Sequence, residues 1–339
     1  MSVDDNFYMQ LAIDEAWKYQ LLTYPNPAVG CVVVKNGEIL AIEAHTKANT
    51  PHAEVNAIKS AFLKKNTCDT LKNLNNSNDI HNYFFELKTD FFKDCEIFVT
   101  LEPCNHYGKT PPCSNLLEEI KPKRLIIGQT DPNKEATGGT KRLKNKNIDV
   151  QENILNHEAK KLLYPFTLTS NKQNIILFKI ATRLNGSFDG GKITSNETIQ
   201  YLHEIRAIAD ALAIGGNTVR IDKPTLDARY SKAKKSPNII IFSKQKNIDR
   251  QIPLFGIKNR QVLITEEPGT LNDYKFTIIE GGTNLLNLVY NYVNLFLFVV
   301  SVEKIGGNIF LENFHKDLEL LKIVKHGNEL LIWLRKKDI

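Results

Sequence analysis

Two short runs, about fifty residues apart, constrain this chain more than anything else in it. They are Thr50-Pro51-His52-Ala53-Glu54 and the segment TLEPCNHYGKTPPC over residues 100–113. In the first, Thr50 is placed to cap a helix, Pro51 suits the first helical position, and His52 and Glu54 fall in its first turns. In the second, a strand ends at Glu102, Pro103 breaks it, and a loop runs to Cys113 at the start of another helix. Cys104 and Cys113 are the cysteines framed in this way. Thiolates are soft zinc ligands, a helix N-terminus favours their deprotonated form, and His52 makes a third protein ligand. A chain that uses these residues together must bring a strand end and two helix starts to one point. Three ligands leave a fourth position for water, whose pKa a catalytic zinc lowers from ~15.7 toward ~7. Glu54 then acts as the proton shuttle rather than as a ligand.

The rest of the chain suits a globular enzyme. It has 339 residues, 42% hydrophobic and 24% charged, which excludes collagen-like and globally disordered classes. At roughly 100–200 residues per domain the length predicts two domains. The start MSVDDNFYMQ has acid where a secretory signal carries basic residues, and no apolar run follows. The most apolar stretch, Leu295 to Val302, is far short of the ~20 residues of a membrane helix and reads as a buried strand. Five sparse cysteines fit metal or catalytic use better than a disulfide framework. These features predict a cytoplasmic protein with no membrane partner. The formal net charge is +6 and resides in residues 151–339, the first 150 being near neutral. A nucleic-acid binder should show a basic stripe with interleaved aromatics; the clusters Lys232–Lys235 and Arg335–Lys337 read instead as solvated surface. A phosphorylated small molecule matches the mild excess, and no nucleic-acid partner is expected.

Patterning predicts a helix over Asp5–Leu21, strands over Cys31–Val34 and Glu38–Ala44 joined at Asn36-Gly37, a helix from His52, and strands over Glu96–Leu101 and Arg124–Gly128. The order is that of a sheet covered by helices. Residues 67–93 are Asn-rich and read as a surface insertion, with a short helix near Tyr83–Leu87. Cys31, Cys68 and Cys95 read as ordinary apolar side chains, and His81 and His157 as surface residues. Domain boundaries are placed at 1–147, a connecting linker at 148–170, and a second domain at 171–339. In the latter, strands over Ile175–Ala181, Ala211–Ile214, Asn238–Phe242, Gln261–Thr265, Phe276–Glu280 and Phe296–Val302 are mostly unbroken apolar runs, as in a largely parallel sheet covered on both faces. A helix is expected over Asn196–Ala209. Glu280-Gly281-Gly282-Thr283 and Gly215-Gly216-Asn217-Thr218 are strand-end loops that can take a dinucleotide phosphate, although neither is a GxGxxG fingerprint.

Zinc nucleobase deaminases combine His-x-Glu with Pro-Cys-x-x-Cys; here eight residues separate the two cysteines. With that displacement, HAEV followed by TLEPCxHxGxTPPC resembles the deaminase domain of the bifunctional riboflavin-biosynthesis deaminase/reductase. The similarity extends to TYPNPAVGC (residues 23–31) and GQTDPN (residues 128–133). It implies a cytidine-deaminase-like αβα domain in which Asn26, His45, His106 and Lys109 line the pyrimidine and ribose-phosphate site. On the residues alone, His106 and Lys109 read equally as exposed loop residues, and Asn26 as turn chemistry between prolines.

The same family carries a dihydrofolate-reductase-like α/β domain that uses NADPH, and residues 171–339 follow it in order. KIATRLNGS (179–187), the run 191–229 and IIEGGTNLL (278–286) carry the resemblance. Arg183 and Asn185 stand where Ser and Asp are more usual, and Lys192 where Trp often occurs. The resemblance implies that Ala181, Thr218, Asp222, Gly281, Gly282 and Thr283 bind the cofactor. It likewise implies that Lys179, Gly190, Arg206, Leu226, Arg229 and Glu280 bind substrate, the arginine forks suiting a phosphate. For Arg206 an ion pair with a neighbouring acid, for Arg229 a solvated loop and for Lys179 a solvent-facing strand position are the plain structural readings. The implied reactions are zinc-dependent hydrolytic deamination of 2,5-diamino-6-ribosylamino-4(3H)-pyrimidinone 5′-phosphate and NADPH-dependent reduction of its ribosyl chain to ribityl. Two other readings stay open on sequence: a deaminase acting on nucleic acid or a nucleotide with a divergent reductase domain, and a non-catalytic zinc module closed by a fourth ligand such as His106. The sequence does not fix the oligomeric state, a homo-oligomer included.

Overall fold

The computed structural model describes residues 4–133, 137–189, 191–233, 235–302, 306–307 and 317–337. The chain forms two compact units, Met1–Ser170 and Asn171–Ile339. The first runs α1 (Asp5–Trp17), β1 (Gly30–Lys35), β2 (Glu38–Ala44), α2 (Ala53–Lys65), α3 (Asp69–Asn73), α4 (Ser77–Leu87), β3 (Cys95–Leu101), α5 (Cys113–Ile120), β4 (Arg124–Gln129), α6 (Gly139–Asn145), β5 (Asp149–Glu152), α7 (Asn156–Leu162) and α8 (Tyr164–Ser170). Its sheet has the order β2-β1-β3-β4-β5. β1 is antiparallel to β2 and β3, and β3, β4 and β5 are parallel.

Strand alternation splits the core into two layers. Cys31, Val33, Ile97, Val99, Leu125 and Ile127 pack with α2 and α5. The intervening residues meet α1 on the other face, where the Tyr8 and Phe98 rings lie 5.1 Å apart. α1 approaches β1 so closely that a Cβ on Gly30 would sit 1.9 Å from the Ala12 carbonyl oxygen. Helix–sheet–helix layering therefore depends on a glycine there.

Five expectations for this unit need correction. Thr50 does not cap α2; its hydroxyl donates to Lys47 O at 2.7 Å, and His52 occupies the cap position with extended backbone and no side-chain cap bond. The insertion is only partly a surface excursion. Leu71, Ile80 and Phe84 are buried in the main core, and the Phe84 and Phe92 rings lie 5.7 Å apart, each also against Phe62. His81 is buried rather than on the surface, with neither ring nitrogen hydrogen-bonded among the described residues, whereas His157 is exposed. Cys31 and Cys95 are core side chains, but Cys68 caps α3 and lies 3.0 Å from the Tyr83 hydroxyl. Finally, the segment 148–170 is no linker: β5 pairs with β4, and α7 covers the sheet with Ala159 and Leu162 buried. Its apolar residues have a sheet face to cover, so it closes the first unit.

The second unit runs β6 (Ile175–Arg183), α9 (Asn196–Ile208), β7 (Ala211–Gly215), α10 (Gly216–Asp222), β8 (Asn238–Phe242), α11 (Pro253–Gly256), β9 (Val262–Thr265), a 3₁₀ turn Pro268–Asp273, β10 (Phe276–Glu280), α12 (Thr283–Val289), β11 (Leu295–Ser301), β12 (Leu318–His326) and β13 (Glu329–Lys336). The sheet order is β12-β13-β11-β6-β10-β7-β8-β9, parallel from β11 through β9. Both faces are buried, which is why these strands read as unbroken apolar runs: Ala211, Ala213 and Ile240 face one core, Leu212, Ile214, Ile239 and Ile241 the other.

The antiparallel hairpin β12–β13 was not anticipated. Its Glu329 carboxylate is buried and accepts from Ser195 N at 2.5 Å and Ser195 Oγ at 2.7 Å, and also from the Thr198 hydroxyl. That fastens the hairpin to the start of α9. Among the described residues no helix is long and apolar enough to cross a membrane.

Candidate active sites

In the first unit three element ends converge as the spacing demanded. His52 ends the loop before α2, Cys104 follows β3, and Cys113 opens α5. His52 Nδ1 lies 3.7 Å from Cys104 Sγ and 3.4 Å from Cys113 Sγ. All three ligand atoms lie within 4.8 Å of one another. A tetrahedral zinc with bonds of ~2.3 Å to sulfur and ~2.0–2.1 Å to nitrogen puts neighbouring ligand atoms about 3.6 Å apart, so the residues fit that ion. The donor set points the same way. The Cys113 amide donates to Cys104 Sγ at 3.3 Å, the kind of N–H contact that favours a thiolate. Hydrogen bonding from Cys113 and the adjacent His52 pull the Cys104 thiol down to about 4, while the same contact with Cys104 and burial push Cys113 up. The other ring nitrogen of His52 is 3.5 Å from the Thr110 hydroxyl, which orients the imidazole.

Glu54 is 4% exposed, and burial raises its carboxyl above the usual carboxylate range. It lines a cavity of about 610 Å³ together with His52 and Cys104. Asn26, His45, His106 and Lys109 line the same cavity. His45 is held neutral: burial and His52 lower it to about 4, against the hydrogen bond to Pro51. Its Nδ1 faces Pro51 O at 3.1 Å, and a carbonyl can only accept, so Nδ1 carries the proton. Nε2 then accepts from the Asn26 amide at 3.1 Å, leaving Asn26 Oδ1 without a partner among the described residues. His106 and Lys109 are exposed on the loop, and Lys109 Nζ donates to Asn49 Oδ1 at 2.9 Å.

Sequence reasoning did not single out Asp131 and Asn133, which also line this cavity. Burial raises the Asp131 carboxyl to about 6, with nearby Glu102 adding to the effect, against a hydrogen bond from Asn133 N at 2.8 Å. The buried Glu102 carboxylate accepts from the amides of Asp131, Gly138 and Thr140 at 3.0–3.2 Å, tying these residues to the segment after β3 that leads into Cys104. The packing is so tight that a Cβ on Gly139 would lie 2.0 Å from Pro103 O. The signal available was the position of GQTDPN, at the C-terminal end of a parallel strand.

In the second unit the calls separate into two places. Lys179 and Glu280 are register partners on β6 and β10, and Lys179 Nζ is 4.0 Å from Glu280 Oε2. Arg206 Nη2 donates to Glu280 Oε1 at 2.8 Å and Nη1 to Asp227 O at 2.9 Å. Burial opposes ionisation of Glu280, but Arg206 and Lys179 overcome it and draw the carboxyl down to about 2. Arg206 is thus engaged with an acid, as its plain reading allowed. Arg229 is exposed, donating to Asp227 Oδ1 at 2.7 Å. Leu226 is buried in a positive-φ backbone, its carbonyl accepting from Arg260.

Thr218, Gly282 and Thr283 line a cleft of about 770 Å³ at the ends of β7, β8 and β10. Gly281 stands beside it, where a Cβ would meet Leu285 at 2.7 Å; Ala181 and the exposed Asp222 are not among its lining. Gly190 lies outside the described residues. Arg183 is buried, its guanidinium donating to Ser187 Oγ and Asp189 O.

Comparison with known proteins agrees with both halves. Residues 2–129 match the cytidine and deoxycytidylate deaminase zinc-binding region, and residues 179–295 match the RibD C-terminal domain. Riboflavin biosynthesis protein RibD of Aquifex aeolicus is 32% identical over 334 residues, covering 92% of this chain and 83% of that protein. Its counterpart in Haemophilus influenzae is 32% identical over 308 residues, covering 84% and 75%. Among solved structures, a diaminohydroxyphosphoribosylaminopyrimidine deaminase/5-amino-6-(5-phosphoribosylamino)uracil reductase from Thermotoga maritima is similar, with a TM-score of 0.66 at 25% identity over 98% of each chain.

Proposed function

The chain belongs to the bifunctional riboflavin-biosynthesis deaminase/reductase family, and on that premise we propose how its residues divide the two reactions. The enzyme is a deaminase in its first half and a reductase in its second. The substrate of the first is 2,5-diamino-6-ribosylamino-4(3H)-pyrimidinone 5′-phosphate, and the second reduces the ribosyl chain of the product to ribityl with NADPH. The observation that carries this reading is the cluster of His52, Cys104 and Cys113, whose His52 and Cys104 line the same cavity as the buried Glu54.

His52, Cys104 and Cys113 hold zinc, which when bound supplies the Lewis acidity that makes hydroxide available near neutral pH. Glu54 moves the proton: its carboxylate receives it from the attacking water and delivers it to the departing ammonia. The cavity that buries Glu54 keeps bulk water from competing for that proton. Neutral His45 fixes the Asn26 amide so that Asn26 Oδ1 can accept from a ring N–H or amino group of the pyrimidine. Asp131, whose carboxyl burial raises to about 6, lines the same cavity and meets a polar edge of the same ring or its ribose. His106 and Lys109 meet the phosphate from the exposed loop.

In the second unit NADPH supplies the hydride, and the chain positions the acceptor carbon. Glu280, kept anionic by Arg206 and Lys179, accepts from ribose hydroxyls. Lys179 stabilises negative charge that develops as the open-chain carbonyl or imine is reduced, and Arg229 takes the phosphate. A deaminase working on nucleic acid is not favoured, because the relatives match through both halves. The test is incubation with the ribosylaminopyrimidine phosphate, with and without NADPH, following ammonia and the ribityl product separately. Ammonia should appear in both mixtures and the ribityl product only with NADPH; absence of ammonia in both contradicts the proposal.

A further inference from the structure

Resting on the reading of Arg229 as the phosphate contact of the reductase, we propose that Arg260 is a positioning residue for it. Arg260 sets the backbone of residues 225–229 and thereby aims Arg229 at the substrate. It belongs to none of the motifs that the sequence displays. The next residue, Gln261, donates from its amide to Asn238 Oδ1 at 2.9 Å and accepts from Ile239 N at 2.8 Å, so the backbone here is fixed to β8. From that support the Arg260 guanidinium donates from Nη1 to Leu226 O at 2.8 Å, and from Nη2 to Thr225 O at 2.8 Å and to Leu254 O. All three acceptors are backbone carbonyls, and Nε is buried with no hydrogen-bond partner among the described residues. Arg260 thus spends its donors on the chain rather than on a ligand.

Two successive carbonyls can meet one guanidinium only where the backbone turns. In a strand they point to opposite sides; in a helical conformation of either hand they point the same way. Leu226 has a φ of 54°, the left-handed region, which a residue with a Cβ holds only where its surroundings over-determine it. Arg260 fixes that conformation from one side by taking the carbonyls of Thr225 and Leu226, and burial of the Leu226 side chain in the core fixes it from the other. The next residue carries the consequence. Asp227 O accepts from Arg206 Nη1 at 2.9 Å, and Asp227 Oδ1 accepts from Arg229 Nε at 2.7 Å. The direction in which the chain leaves Leu226 therefore decides where Asp227 stands, and Asp227 decides where the Arg229 fork stands. A planar guanidinium can bridge carbonyls in this way, whereas an ammonium is a point charge. Glu280 holds Arg206 separately, through Nη2 at 2.8 Å, so the end of the site at Lys179 and Glu280 does not depend on Arg260.

The test is steady-state reduction of the deaminated intermediate by the full chain. Arg260→Met should raise KM for that intermediate by about 10- to 30-fold, with kcat changed less than about 3-fold. NADPH affinity and ammonia release by the first unit should stay within about 2-fold of the wild type. Arg260→Lys keeps the stem and the charge but loses the fork; it should raise KM by about 3- to 10-fold, and it decides the matter should the Met variant fail to fold. A residue needed only for folding would act independently of Arg229. Here the two effects overlap, so adding Arg260→Met to Arg229→Ala should raise KM by less than about 3-fold more. An unchanged KM in a folded Arg260 variant, a fall in kcat in place of the rise in KM, or a full increment of about 10-fold or more on top of Arg229→Ala overturns the proposal and leaves the reductase reading intact. A wild-type KM in Arg229→Ala removes the phosphate contact and the proposal with it. A wild-type chain that does not reduce the intermediate overturns the reductase reading itself.

Discussion

In the proposed deaminase site, the environments of individual residues fit the role assigned to each type. A carboxylate that shuttles a proton must stay out of the metal's coordination shell and away from bulk water; Glu54, two residues beyond His52 and almost fully buried, meets both conditions. Replacing it by Gln keeps size and hydrogen bonding but removes the base. Glu54→Gln should retain zinc and lower the rate of ammonia release by at least about 10²-fold; an undiminished rate would remove Glu54 from the mechanism. The histidine, the glutamate and both cysteines were legible in sequence because their chemistry depends on local spacing at helix starts. Asp131 was not, because its significance comes from Glu102 drawing a distant loop onto the cavity wall. His81 was misread for a related reason: nothing local marks a histidine that an aromatic-rich insertion folds inward.

Among the elements, the parallel strands of the second unit could be read almost residue for residue, since burial on both faces leaves continuous apolar runs. The hairpin β12–β13 escaped because its residues are mostly half-buried and its attachment runs through one side chain, Glu329, to a helix start more than a hundred residues earlier. The insertion was misjudged in the opposite direction. Its Asn-rich composition suggested a loop, yet Phe84, Phe91 and Phe92 gather on Phe62 of α2, the helix that follows His52. It therefore belongs to the core that packs against α2. Phe84→Ala should cost about 3–5 kcal/mol of stability, seen as a lower urea midpoint for the first unit. A change below about 1 kcal/mol would return the segment to the surface.

For the whole molecule, each unit carries a buried neutral histidine, and these set part of the pH dependence of stability. Burial lowers His81 in the first unit and His203 in the second to about 4 from an ordinary 6.5, Arg206 adding to the effect on His203. Between pH 4 and 6.5 the unfolded chain takes up protons that the folded one refuses. This contribution is thus complete above about pH 6.5 and is lost as the pH falls toward 4. Urea midpoints should drop across that window, and His203→Gln should flatten the drop for the second unit; an equally steep profile would mean that His203 is already charged when folded.

Two activities in one chain make the role of the metal separable. Protein purified under reducing conditions should contain one zinc per chain. Removing it with a chelator should stop ammonia release, readdition should restore it, and NADPH-dependent reduction of the already deaminated intermediate should continue throughout. Ammonia release that persists at full rate in metal-free protein would contradict the account.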